Sequence, residues 1–211
     1  MRFVFMFYEG MTALDLIGPH EILCRLPGVQ TIRVARHAGW IRCDSGIALN
    51  ATSAFSDISQ ADYLMVPGAG NATSLRDEPQ TLDWIRSIHR TTTWTTAVCS
   101  GTLILGAAGL LKGVKATTHW AVHDRLLKFG AQPVNARVVE DGKIMTGAGV
   151  TAGIDMALTL ASRIAGTDVA RALQLGIEYD PHPPFPGGHP SKADPALVAA
   201  VRARMERTFV D

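Results

Sequence analysis

Short apolar runs alternate with longer stretches of helical spacing along this chain. Phe3 to Tyr8 is the first apolar run and reads as a buried strand. Ala13 to Leu26 follows with helical spacing, and Gly18-Pro19 inside it predicts either a kink or the helix's true first turn. Thr31 to Arg36 is a second strand, and Trp40 to Ala51 has room for one or two short ones. Asp62 to Val66 is another buried strand, stopped by Pro67-Gly68-Ala69-Gly70. Pro79 to Arg90 is helical, with Pro79 suited to a first turn. Trp94 to Val98 is a strand, and Ser100 to Leu111 is a helix rich in Ala, Gly and Leu.

The second half continues the alternation. Val114 to Thr117 predicts a short strand and His119 to Phe129 a helix. Val134 to Glu140 and Lys143 to Thr146 flank Asp141-Gly142, a hairpin signal. Helices are expected over Thr151 to Ala165, Asp168 to Ile177 and Ala196 to Thr208. Between the last two, residues 179–191 are rich in Pro and Gly and predict an ordered loop or arm. Strands separated by helices imply an α/β fold, a mostly parallel sheet with helices on both faces. Ligands in such folds sit beyond the carboxyl ends of the strands. That gives weight to Glu9 to Asp15, Pro67 to Asn71, Cys99 to Gly101, His119, and Gly147 to Thr151.

Composition narrows the class. With 211 residues, 47% of them hydrophobic, the chain can bury one domain over residues 1–211. A net charge of +1 with scattered cations excludes a nucleic-acid stripe. Three irregularly spaced cysteines argue against a disulfide framework and for a reducing compartment. No CxxC or HExxH motif is present, so no metal or other cofactor is expected. The N-terminal run lacks a small-residue cleavage site, and no apolar run nears 18 residues. The expectation is a cytoplasmic protein that binds neither membrane nor nucleic acid.

Cys99 holds the most telling position. Free cysteine is commonly a small buried hydrophobe, and Cys24 and Cys43 read that way. Cys99 lies where a strand turns into a helix, and the amides of that helix's start favour a thiolate. Ser100 and Gly101 permit the sharp turn of a nucleophile elbow, with sulfur as nucleophile. Asp15 completes Thr12-Ala13-Leu14-Asp15, a capping-box pattern. It also falls on the same sheet edge as Cys99, where poor solvation would raise its pKa and let it move protons near neutrality. Glu9 is the competing carboxyl. The Pro67–Gly70 turn is either a plain strand exit or a set of backbone donors for a ligand. His119 allows a cysteine–histidine dyad or is an ordinary satisfied histidine. Gly147-Ala148-Gly149-Val150-Thr151-Ala152 formally fits a relaxed dinucleotide motif, yet comes late and lacks the following acidic strand, so a tight turn against the site is the better reading.

Taken in order, "DLIGPHEIL", "VPGAG", "AVCSGTLILGAAGLLKG", "ATTHW" and "GAGVTAGIDMAL" resemble the ThiJ/PfpI superfamily over roughly residues 2 to 180. The resemblance implies a flavodoxin-like three-layer sandwich with a cysteine nucleophile elbow. Within the superfamily the residues look most like the isocyanide hydratases, which have Asp rather than Glu at the Asp15 position and no His after the nucleophile. That implies hydration of a small-molecule isocyanide to an N-substituted formamide, without a cofactor, by a homodimer. Cys99 would form a covalent thioimidate and Asp15 would act as general acid and base. Gly70, Ser100, Val150 and His119 would orient sulfur and substrate. Two alternatives share the scaffold: a ligand-sensing domain like those of AraC-type regulators, and a protease, glyoxalase or deglycase with a base such as His119 on Cys99. No helix-turn-helix with a basic recognition helix is found in the sequence.

Overall fold

The structure is a computed structural model, and it describes residues 1–70, 75 and 78–206. The chain runs β1 (Arg2–Met6), α1 (Ala13–Leu23), β2 (Gln30–Ala35), β3 (Gly39–Arg42), β4 (Ala48–Ala51), β5 (Ser53–Ala54), β6 (Tyr63–Val66), α2 (Pro79–Thr91), β7 (Trp94–Val98) and α3 (Gly101–Ala107). It continues with β8 (Lys115–Ala116), β9 (Gln132–Pro133), β10 (Val138–Asp141), β11 (Ile144–Gly147), α4 (Ala152–Ala165), α5 (Thr167–Gly176) and α6 (Pro195–Glu206). The main sheet has the order β10-β11-β7-β6-β1-β2-β5 and is parallel except for the β10–β11 hairpin. Its central strands are apolar along their whole length because both faces are covered: Val4, Phe5, Met6, Leu64, Met65 and Val66 have no exposed surface.

Register places the chemistry. β11, β7, β6 and β1 are adjacent and parallel, so their carboxyl ends share one edge. The segments after them, at 148–151, 99–101, 67–70 and 7–15, therefore meet there. Fixing those loops takes close packing. Gly101 lies against β6, and a Cβ built on it would come 2.5 Å from the Val66 carbonyl oxygen. Gly101→Ala should lower stability by about 3 kcal/mol, since backbone cannot move aside as a flexible side chain does. A urea melt checks this; a loss under about 0.5 kcal/mol would contradict the packing.

Several elements differ from the sequence expectation. α1 ends at Leu23 and not Leu26, and it starts at Ala13, so Pro19 is interior. Pro19 costs one helical hydrogen bond, the one owed to the Asp15 carbonyl, and gains contact with α4, where a Cβ on Gly153 would lie 3.0 Å from its ring. α3 stops at Ala107, followed by Gly109 in the left-handed region. Residues Trp120–Phe129 form a 3-10 stretch, not an α-helix, broken at Val122 (φ −124°). The strand expected from Val134 begins only at Val138. Of the expected C-terminal helix, residues 207 and 208 lie outside the described residues, as does Asn71. The arm at 179–191 has no regular structure before a 3-10 turn at Pro190–Lys192. Among the described residues no helix is long and apolar enough to cross a membrane.

Candidate active site

Cys99 occupies the tip of β7 with φ 57°, a left-handed conformation that a non-glycine residue rarely adopts. Its amide donates to the carbonyls of Ala148 (2.8 Å) and Gly147 (3.1 Å). Its carbonyl accepts from Thr118 Oγ1 at 2.6 Å. Bonds on both sides hold the strained residue in place, as a nucleophile elbow requires.

The sulfur's surroundings come from three loops. Asp15 is completely buried, and its Oδ2 accepts the Gly68 amide at 2.9 Å. Oδ1 meets no N–H or O–H donor among the described residues. Burial pushes the Asp15 carboxyl up to about 7, against the Gly68 amide and the Cys99 thiol, which both pull it down. The Cys99 thiol is also pushed up, by burial and by the Asp15 charge, while the amides of Ser100 and Val150 pull it back. The expected thiolate is therefore corrected: the helix-end amides are present, but burial and Asp15 outweigh them. Two anions so deeply buried cannot both be bare, so above about pH 7 the pair retains one proton.

The capping box does not form. Thr12 is at the N-cap without a side-chain cap bond, because its hydroxyl donates to Asp44 and Asp15 turns to Gly68. Glu9 is exposed, and its carboxylate accepts the Arg42 amide on the β3–β4 hairpin. Ser100 Oγ donates to the Ala69 carbonyl (2.7 Å) and accepts the Ala69 amide (2.9 Å), locking the elbow to the Pro67–Gly70 turn. The amides that engage this site from that turn are those of Gly68 and Ala69, two residues and one residue before the expected Gly70. A Cβ on Gly68 would come 2.7 Å from the Ser100 nitrogen and 2.8 Å from Asp15 Oδ2, so only glycine fits. Val150 does supply an amide to the sulfur.

His119 packs edge-on against Gly149, where a Cβ would lie 2.7 Å from its ring. Its Nδ1 accepts the Ala121 amide, and burial lowers its pKa to about 4. The neighbouring groups that shift the Cys99 thiol are Asp15, Ser100 and Val150. Tyr8 and Thr118 were not singled out from sequence, and Gly68 was named only as part of the Pro67–Gly70 turn. Tyr8 lies close enough to Asp15 and Cys99 for both charges to raise its pKa, and its hydroxyl donates to the Pro67 carbonyl at 2.9 Å. Its place two residues past β1, on the ligand edge, was the available signal. Among the described residues no group of three His, Cys, Asp or Glu could hold a metal ion.

The profile of the DJ-1/PfpI family matches residues 1–163. The chain belongs to the DJ-1/PfpI family. An isonitrile hydratase from Pseudomonas putida is 46% identical over 200 residues, spanning 95% of this chain and 88% of that one. The crystal structure of a DJ-1/PfpI relative, a ThiJ/PfpI family protein from Pseudomonas syringae, superposes with a TM-score of 0.94 at 38% identity, covering 98% of this chain and 88% of that one. The HTH-type transcriptional regulator CdhR of Pseudomonas aeruginosa is 31% identical, over 63% of this chain and 40% of its own length. The family's flavodoxin-like α/β sandwich agrees with the sequence expectation of the fold.

The Asp15 environment makes stability depend on pH. The folded chain keeps the Asp15 proton up to about pH 7, whereas an unfolded chain releases it near pH 4. Stability from that proton is full below about pH 4 and is lost as pH rises towards 7, on the order of 4 kcal/mol. Asp15→Asn should therefore melt above wild type at pH 8, with the gap closing by about pH 4. Parallel melting curves across that range would contradict the raised pKa.

Proposed function

We propose that this protein is an isonitrile hydratase, adding water to R–N≡C to give R–NH–CHO. The observation that carries the reading is the buried Cys99–Asp15 pair, joined to 46% identity with the Pseudomonas putida isonitrile hydratase across nearly the whole chain. An isocyanide carbon accepts a nucleophile and a proton on the same atom. The pair stores one of each.

In the one-proton state the Asp15 carboxylate takes the proton from the Cys99 thiol as the sulfur gives that electron pair to the isocyanide carbon. Asp15 delivers the proton to that carbon, leaving a neutral thioimidate, R–N=CH–S–Cys99, and an Asp15 carboxylate. The carboxylate then takes a proton from water as the hydroxide adds to the same carbon, and passes that proton to nitrogen. When the C–S bond breaks, the hydroxyl proton returns to Asp15, the thiolate leaves, and the formamide is released. Atoms and charges balance to one isocyanide plus one water. The amides of Ser100 and Val150 hold the sulfur's charge when it is free. Ser100 and Gly68 act as positioning groups for Asp15 and the elbow, and His119 shapes the Gly149–Val150 turn.

The reading also takes residues 1–211 as one catalytic domain, supported by a hydrophobic cluster reaching from Phe3 to Ala170. It places the chain in the cytoplasm, in line with three free cysteines. It takes the working unit as a homodimer, supported by exposed Leu14, Trp40 and Ile47 beside the site loops. The test is incubation with p-tolyl isocyanide in 18O-water. Labelled N-(p-tolyl)formamide is expected; an untouched isocyanide would end the hydratase reading.

A further inference from the structure

A cavity of about 930 Å³ opens beside the elbow. Neither Cys99 nor Asp15 lines it, but it shares a wall with the sulfur. Val150, whose amide acts on Cys99, and Thr118, whose hydroxyl bonds the Cys99 carbonyl, both face it. The reacting N≡C group is two atoms and fills a small fraction of such a space. Cavities of about 300–1,000 Å³ hold whole drug-sized molecules. The volume is suited to the substituent, R.

The lining says what R should be. Trp120 and Phe185 supply aromatic surface, Phe185 from the arm at 179–191. Phe185 is 77% exposed, a large ring held outside the core. Arg202 stands 5.1 Å over the Trp120 ring and donates to the Ala121 carbonyl at 3.4 Å. Lys192 lines the cavity at the end of the arm. Neither cation is in an ion pair among the described residues. Arg137, also at this cavity, is different: Asp155 sits 2.6 Å away and neutralises it. Asp124 is the acid that also lines the space, so two cations outside these ion pairs share the cavity with one carboxylate.

We propose that this cavity binds the substituent of an isocyanide carrying an aromatic ring and a carboxylate. The ring would lie by Trp120 and Phe185, and the carboxylate would meet Arg202 and Lys192. This rests on the hydratase reading for the identity of the reacting group. Recognition by the cavity itself does not need turnover, and the test separates the two.

The probes are phenyl isocyanide and 4-isocyanobenzoate, which differ by one carboxylate, and their formamides, formanilide and 4-formamidobenzoate. Wild type should favour 4-isocyanobenzoate in kcat/KM by about tenfold, the effect of one charge-assisted contact. Arg202→Gln with Lys192→Gln should bring the ratio to about one, and Lys192→Glu should drive it lower than in wild type. The ratio is internal to each protein, so a general loss of folding or activity leaves it unmoved. Calorimetry should show wild type binding 4-formamidobenzoate more tightly than formanilide, with the double variant losing the difference. A wild-type ratio of one or less, or a ratio that ignores these substitutions, overturns the proposal. If neither isocyanide is hydrated, the hydratase reading fails and calorimetry alone decides the cavity: selective binding lost in the double variant upholds it, and equal binding overturns it.

Discussion

Cys99→Ala should abolish isocyanide hydration, lowering kcat by about a thousandfold or more, while the protein stays folded. The sulfur is the atom that bonds carbon, so nothing else at the elbow replaces it. Removing it creates little cavity, since a single atom is lost, and alanine inherits the same left-handed backbone at φ 57°. The elbow's bonds to Ala148, Gly147 and Thr118 are made by backbone atoms of residue 99 and survive the change. Cys99→Ser should be nearly as inactive, because a buried hydroxyl beside a carboxylate gives up its proton far less readily than a thiol. Formamide yield with matched melting curves checks both. Hydration by Cys99→Ala within about tenfold of wild type would remove Cys99 from the chemistry.

Asp15→Asn carries the second large effect. An amide can accept the Gly68 amide as the carboxylate does, but it cannot deliver or take the proton. The loss expected for a general acid–base is about a hundredfold to ten-thousandfold in kcat. The pH profile distinguishes this from simple disruption. Below about pH 7 wild type holds Asp15 protonated beside a neutral thiol, one proton too many for attack. Hydration should therefore rise with pH through about 7 and fall again where the shared proton is lost from the pair, at a thiol pKa pushed up by burial. Asp15→Asn should lose the limb near 7. A variant that keeps that limb would mean another group sets it.

The parallel sheet and its ligand edge were legible because parallel strands buried on both faces are apolar throughout, and runs such as Asp62 to Val66 show it directly. Knowing the edge was enough to bring Cys99, Asp15, Ser100 and Val150 together from positions far apart in the chain. The finer geometry was less legible. Which amides of Pro67–Gly70 face inward depends on how the turn meets Ser100 Oγ, a tertiary contact that local composition does not encode. The capping pattern at Thr12 was misleading for the same reason: Asp44 and Gly68, distant in sequence, win the two side chains. The sign of the Cys99 shift needed burial as well as position. A helix start alone favours a thiolate, but a fully buried sulfur beside a carboxylate goes the other way. The 3-10 stretch after His119 was hidden because its apolar spacing satisfies a helix, while the break at Val122 comes from the fold around it.

The central claim is that hydration runs through a bond between Cys99 and the isocyanide carbon. A single-turnover experiment tests it most directly: excess wild-type protein is mixed with p-tolyl isocyanide, quenched in acid at intervals, digested and weighed by mass spectrometry. The account predicts a Cys99-containing peptide heavier by one isocyanide, disappearing as the formamide appears. Formamide accumulating over the same interval while that peptide keeps its unmodified mass, or with the added mass on another residue, would contradict it.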